Sequence, residues 1–472
     1  MQSPPIPIQY PPGLFRIGTE YQSQGRWYDS DLVRWFMGLI RPVGGWTSLA
    51  TGLTGQVSAL FSWVDNSANG ICAIATEQKL YTMTPAGTVT DRTPAAFSAQ
   101  AVTSTWTFDN AGQLLLGVND AEGVIYKYLP GTDTLATALS AEAGASGVPT
   151  AAAILVTNEG IPMALGADGN PRAVAWSDRD DLTDWTAGLT DLAGDLNVQA
   201  PAGLMAGRNV RAGTLLWTSE DLHIARYVGL PDVYGITPVA GDCGAISRRC
   251  MQVVHDIAYW MSSGKFMICQ GGGLVMELPC DVHDDVFGDL DVARASLIRA
   301  VVNSEFNEIW WLYRKTADAG STNTRAVVYN YAEKHWGLHV LARHDGVGRG
   351  KGFAKPVMVG GTTVWKHETG WSKSGAGTPY AQGGPIEIAL GERLIHAREL
   401  VTDDAVLGDV DIYFSVRMHP NENATEYGPY TAAAKTPIRF CGRQVAVKLE
   451  EAAETDWRIG TYRLVGRAGS RR

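Results

Sequence analysis

From about residue 55 to 365 the apolar residues come in short runs broken by Gly, Asn and Asp, and helical periodicity is rare. Val57 to Trp63 reads as a strand, Gly70 to Met83 as a hairpin turning near Glu77 and Gln78, and GTVTDRT as a fourth strand. Similar units follow at Trp106 to Tyr128, Ile161 to Trp185, Met205 to Gly229, Cys250 to Pro279 and Ser304 to Val340. A spacing of about 45 to 55 residues is that of β-propeller blades. The expected fold is therefore all-β, a propeller of about six blades, with five or seven as alternatives.

The stretch SEFNEIWWLYR, from Ser304 to Arg314, sharpens this expectation. In a strand, Phe306, Glu308, Trp310 and Leu312 share one face, and Asn307, Ile309, Trp311 and Tyr313 share the other. Both faces carry bulky aromatics, whereas a sheet with one wet face alternates cleanly. Blades stacked face to face around an axis cover both. Each buried Trp then removes about 200 Å² from water, worth on the order of 5 kcal/mol as an upper bound. Glu308 is the misfit, expected near an edge or paired with a cation such as Arg314. The strongest helix candidate, His283 to Val301, is expected as one short helix in a blade connection.

The flanks differ from this middle. Residues 1–50 hold Trp27, Trp35 and Trp46 among prolines and glycines and read as an extended arm that packs on the body or on a neighbouring subunit. Residues 51–367 are the propeller, the Gly/Ser/Pro-rich 368–385 a linker, and 386–472 a C-terminal β-sandwich or platform of alternating strands.

Composition narrows the function classes. The chain has 472 residues, 45% hydrophobic and 19% charged, and a formal net charge of −10. That balance argues against a protein that grips nucleic acid by neutralising phosphates. No apolar run reaches the roughly 20 residues of a membrane helix, and the N-terminus lacks a secretory signal pattern. The six cysteines, Cys72, Cys243, Cys250, Cys269, Cys280 and Cys441, show no paired spacing and read as reduced thiols of a chain made in the cytoplasm.

No segment nominates a catalytic, cofactor-binding or metal-binding residue. His335 and His339 are four apart without the HExxH pattern and read as structural. The cluster Asp281, His283, Asp284, Asp285 and Asp289 has the carboxylate density of a calcium site, but a solvated acidic loop is the plainer reading. Gly271 to Gly273 suits a hairpin turn rather than a phosphate loop. Ser177, Asp178, Thr183 and Trp185 resemble the Asp-box turns of propeller hydrolases, without the central Gly.

Several segments together resemble the tail hub or nozzle proteins of short-tailed bacteriophages, also called packaged-DNA stabilisation or tail tubular proteins. They are GRWYDSDLVRWFMGLIRPVGGW, RAVAWSDRDDLTDW, NEIWWLYR with YNYAEKHW, and the C-terminal GDVDIYFSVRMHP, GRQVAVKLE and WRIGTYRLVGRAGSRR. The resemblance implies a structural virion protein without catalysis or cofactor. It implies a hexamer beneath the portal–adaptor ring, meeting tail fibres, spikes or a plug, with double-stranded DNA passing through. Six copies at −10 each carry about −60, which would keep phosphates from sticking. The implied location is the virion tail, after assembly in the bacterial cytoplasm. Two alternatives stand beside it: a receptor- or glycan-binding tail adhesin, and a propeller hydrolase acting on host surface polysaccharide.

Overall fold

The computed structural model describes residues 6–188, 191–320, 322–387, 393–404 and 408–471. Among the described residues seven four-stranded antiparallel sheets follow one another along the chain, and they are the blades of a propeller. Their inner strands are Val57–Val64, Trp106–Ala111, Ala153–Val156, Leu204–Val210, Met251–Val254, Arg299–Asn303 and Asp345–Val347. The count is seven rather than six. The seventh blade was hidden because its first three strands are short and its fourth comes from far away. Trp46–Ala50, inside the segment expected as an arm, pairs antiparallel with Thr363–His367 and completes that blade.

Neighbouring blades are joined by side chains as well as by apolar packing. Leu60 N–H donates to Asp345 Oδ2 at 2.5 Å, which ties blade 7 to blade 1. Ile154 N–H donates to Thr107 Oγ1 at 3.1 Å and Val156 N–H to Asp109 Oδ2 at 2.9 Å, which ties blade 3 to blade 2.

Glu308–Tyr313, the second strand of blade 6, is buried along its whole length. Trp310 and Leu312 pack with Trp46 and Met358 of blade 7. Ile309, Trp311 and Tyr313 belong to another cluster that contains Trp260 and Phe266 of blade 5. The Phe266 and Trp311 rings lie 4.7 Å apart, and Trp311 Nε1–H donates to Cys250 O at 2.9 Å. Each face of this strand is thus covered by a different neighbouring blade, as expected from its double aromatic pattern. Glu308 does not pair with Arg314, which sits 3.0 Å from Asp291 instead. Its partner is Arg34, from the N-terminal segment, at 2.9 Å. The expected helix is one turn, His283–Phe287, followed by a 3-10 segment at Val292–Leu297 and the inner strand of blade 6.

The described residues outside the blades form two six-stranded sheets. Val410–Arg417 shows why they face each other: Val410, Ile412, Phe414 and Val416 are buried, and the residues between them are half-buried. Strands from before the propeller complete both sheets. Trp27–Asp31 pairs with Tyr380–Gly383, and Ile6–Ile8 pairs with Ile459–Arg471. Among the described residues no helix is long and apolar enough to cross a membrane.

Candidate functional site

The inner strands of the blades surround the propeller axis, and their polar side chains meet there. Arg299, only 1% exposed, reaches from blade 6 to Ser58 O of blade 1 at 3.3 Å and to Thr105 Oγ1 at 3.3 Å, beside blade 2. Arg249 extends from the segment before blade 5. It donates to Leu60 O at 2.7 Å, to Trp106 O at 3.3 Å and to Asp345 Oδ2 at 2.6 Å. Two guanidinium groups therefore span the axis and satisfy carbonyls of blades opposite them.

Beyond them lies a cavity of about 220 Å³, whose polar lining includes Ser62, Asp109, Arg208, Arg249, Gln252 and Lys351. Phe61 and Phe108 supply its aromatic wall. Arg208 donates from Nη1 to Gly207 O at 2.9 Å. Among the described residues no carboxylate lies within ion-pair distance of it. Its position among protein atoms depresses its basicity, and the nearby Arg249 charge adds to this. The residue is nonetheless only half-buried by surface area, because its side chain faces the cavity.

Asp109 is the one carboxylate on this lining, and among the described residues it forms no ion pair; Asp345, outside the lining, is engaged by Arg249. Asp109 accepts from Val156 N–H at 2.9 Å and from Asn110 N–H at 2.9 Å. Burial raises its pKa above the usual carboxylate range, against the pull of those two N–H groups and of Arg208 and Lys351. Lys351 is lowered by burial, partly offset by Asp109, and its ammonium lies 4.8 Å from the centre of the Phe61 ring. It is exposed at its surface while its charged end adjoins the cavity.

Local backbone packing fixes Lys351 in place. It has φ +48°, and the next residue, Gly352, has φ +86°. A Cβ on Gly352 would fall 2.4 Å from Gly70 Cα, and one on Gly70 would fall 2.6 Å from Lys351 O. Glycine meets glycine there, so the turn lies directly on the start of blade 1's second strand and carries Lys351 to the cavity.

The groups singled out from the sequence do other work. His339 Nδ1 accepts from Leu32 N–H at 3.1 Å, and burial followed by the Arg34 charge pushes its pKa down to about 3. His335 stands 3.5 Å from Glu333. The carboxylates around residue 285 are tied to cations: Asp281 to Arg26 at 3.4 Å, and Asp285 to Arg16 at 3.5 Å and Lys315 at 3.1 Å. Asp181 accepts from Thr183 N–H and Oγ1–H, and Trp185 is buried, so the Asp-box-like stretch is a turn. Among the described residues no group of three or more His, Cys, Asp or Glu side chains is placed to hold a metal ion.

None of the cavity residues was nominated from the sequence. Asp109, Arg208, Arg249 and Lys351 come from four separate segments, and no local spacing links them. A signal existed in retrospect: Asp109 and Arg208 are each the one charged residue of an otherwise uncharged strand.

Neither a protein-family model nor a curated protein matches this chain. Solved structures do. Virginiamycin B lyase from Staphylococcus aureus matches with a TM-score of 0.44 and 11% identity, covering 67% of this chain and 96% of that one. A gluconolactonase from Xanthomonas campestris matches at 0.36 and 10%, covering 78% and 98%. YCF48 from Cyanidioschyzon merolae matches at 0.43 and 8%, covering 69% and 99%. The likeness is to the propeller fold.

These matches correct the expectation of a phage tail component. The matching structures named above are a lyase, a gluconolactonase and a further propeller rather than tail proteins, so the resemblance to tail hub proteins is not sustained. The tail-nozzle function and the reading of the chain as a non-enzyme fall with it. Short aromatic motifs such as NEIWWLYR misled because blade-on-blade packing alone accounts for them.

Proposed function

We propose that this protein is a propeller hydrolase, and that its axial cavity is the active site for an ester or lactone bond in a compact anionic substrate. The observation that carries this reading is Asp109, a carboxylate without an ion pair among the described residues, in a cavity shared with Arg208, Arg249 and Lys351. It keeps the hydrolase alternative raised by the sequence but replaces its polysaccharide substrate with an ester or lactone. A volume of about 220 Å³ holds roughly seven waters and is smaller than most drug-sized pockets. A sugar chain would enter only by its terminal unit. The glycosidase arrangement of two free carboxylates is not met, since Asp345 Oδ2 already accepts from Arg249 and Leu60.

The reaction follows from the lining. Asp109 takes a proton from a water molecule as its oxygen bonds to the acyl carbon. Negative charge gathers on the former carbonyl oxygen, where Arg208 and Lys351 stabilise it. The bond from carbon to the leaving oxygen breaks, and the proton on Asp109 passes to that oxygen. The products are a carboxylic acid and an alcohol, joined in one molecule when the substrate is a lactone. Arg208 also attracts the substrate's permanent anionic group.

The test is acid release, followed with a pH indicator, across small aldonolactones and carboxylate-bearing aryl esters. Turnover by the wild-type chain is expected, with KM about tenfold higher or more in Arg208→Ala, for the loss of a charge-assisted contact. Acid release no faster than the buffer blank across the whole set would overturn the reading.

A further inference from the structure

A second charged concavity lies far from the axis, at the free edge of one platform sheet. Thr436–Gly442 is the last strand in that sheet's order, next to Arg393–Asp404, which in turn pairs with Ile459–Arg471. The register sets His396 opposite Cys441 on one side and opposite Arg467 on the other. Side chains directly opposite share a face. Buried residues, among them Ile395, Ala397, Ile438, Phe440 and Leu464, mark the inner face. Arg398, Arg439 and Arg467 are all exposed, and all three line one concavity of about 670 Å³ with His396, Cys441 and Tyr427.

Three features distinguish this place from ordinary wet surface. Among the described residues none of the three arginines is in an ion pair. Arg398 lies on the middle strand, about 5 Å from the strand of Arg439 on one side and from that of Arg467 on the other. The whole chain is acidic, at −10, so three arginines without an ion pair on one concavity run against the general charge.

We infer that this concavity is a binding site for a compact multiply charged phosphoryl group, such as a diphosphate or a phosphate monoester. Guanidinium forks match phosphoryl oxygens two at a time, and three of them on one surface surround a single group from several sides. Tyr427 offers a partly buried ring beside the charges for whatever carries the phosphate. A compact anion is favoured over a nucleic-acid strand. A strand would extend past the patch onto an acidic body and meet repulsion there, whereas a small ion experiences the patch alone.

The site stands independently of the axial cavity, and the experiment separates the two. Inorganic pyrophosphate is titrated calorimetrically into the full-length chain, into Arg208→Ala, and into the triple variant Arg398→Gln, Arg439→Gln, Arg467→Gln. The three arginines are exposed, so the triple variant keeps its fold, which the thermal transition checks. Pyrophosphate is expected to bind Arg208→Ala still, through the platform arginines, and to bind the triple variant about tenfold or more weaker than the wild type. Equal binding by wild type and triple variant, or no binding to either, would overturn the inference. A twelve-residue single-stranded oligothymidylate is titrated in parallel; tighter binding of the oligonucleotide than of pyrophosphate would also overturn it, in favour of a nucleic-acid surface.

Discussion

Arg34→Met is expected to lower the unfolding free energy at pH 7 by about 3 to 5 kcal/mol, the cost of removing one partner from a buried ion pair. The Arg34 side chain is 3% exposed and reaches Glu308 at 2.9 Å and Glu368 at 2.6 Å, themselves 3% and 6% exposed. The carboxylates have other partners. Trp310 Nε1–H donates to Glu308 at 2.9 Å, while Asn303 and Gly44 donate to Glu368 at 3.0 and 3.1 Å. The guanidinium carbon lies 3.7 Å from the centre of the Phe306 ring. One cation thus serves two buried carboxylates, and its removal leaves them facing each other. His339 offers no substitute charge, because burial and Arg34 itself keep it neutral.

The pH dependence has a definite sign. Burial raises the Glu308 pKa in the folded protein, with Glu368 adding to the rise and Arg34 opposing it. A group raised on folding stabilises below its unfolded pKa, and that contribution fades as pH climbs through the folded value. Without Arg34 the rise is larger. The deficit of Arg34→Met should therefore be greatest at neutral pH and shrink towards pH 5. Urea unfolding at both pH values measures it. Adding Glu308→Gln and Glu368→Gln should recover most of the loss. A deficit under 1 kcal/mol at pH 7 would show that the cluster does not hold the N-terminal strand to blade 6.

Asp109→Asn is expected to reduce hydrolysis by about 10² to 10⁴-fold with KM little changed, the usual range for losing a general base. Asparagine keeps an oxygen for Val156 N–H, so the tie between blades 2 and 3 persists. The wild-type rate should rise with pH as Asp109 loses its proton, at a pH above the usual carboxylate range. It should fall again as Lys351 becomes neutral, at a pH below the usual lysine range. In Asp109→Asn the acid limb disappears and the alkaline limb remains. A variant that keeps the acid limb, or loses less than threefold in kcat, would place the base elsewhere. Native stability gives a second check. The raised Asp109 pKa means that ionised Asp109 weakens the fold, so the asparagine variant should be at least as stable at neutral pH.

The propeller was legible in the chain because its signal is local. Trp310 and Trp311 point to opposite sides of one strand, and only a stack of sheets buries both. The seventh blade was illegible for the opposite reason, since Trp46–Ala50 and Thr363–His367 are joined by hydrogen bonds that no local pattern announces. Glu308 makes the same point. Its nearest basic residue in that run is Arg314, yet its partner is 274 residues away. The cavity was least legible of all. Its charged residues are single positions on different blades, and they acquire a common meaning only when the ring brings them to one axis.

The strand exchange that closes blade 7 also sets an order of events during synthesis. Ala50 leaves the ribosome 313 residues before Thr363, its partner strand's first residue (363 − 50). At translation rates of about 5 to 20 residues per second that interval is roughly 15 to 60 s. Throughout it, Trp46 and its neighbours have no ladder to join, and the circle stays open. Such a delay makes ring closure a late step dominated by distant pairing, which is slow by nature. The nascent chain would thus present an unlatched edge to the cell's chaperones for most of its elongation.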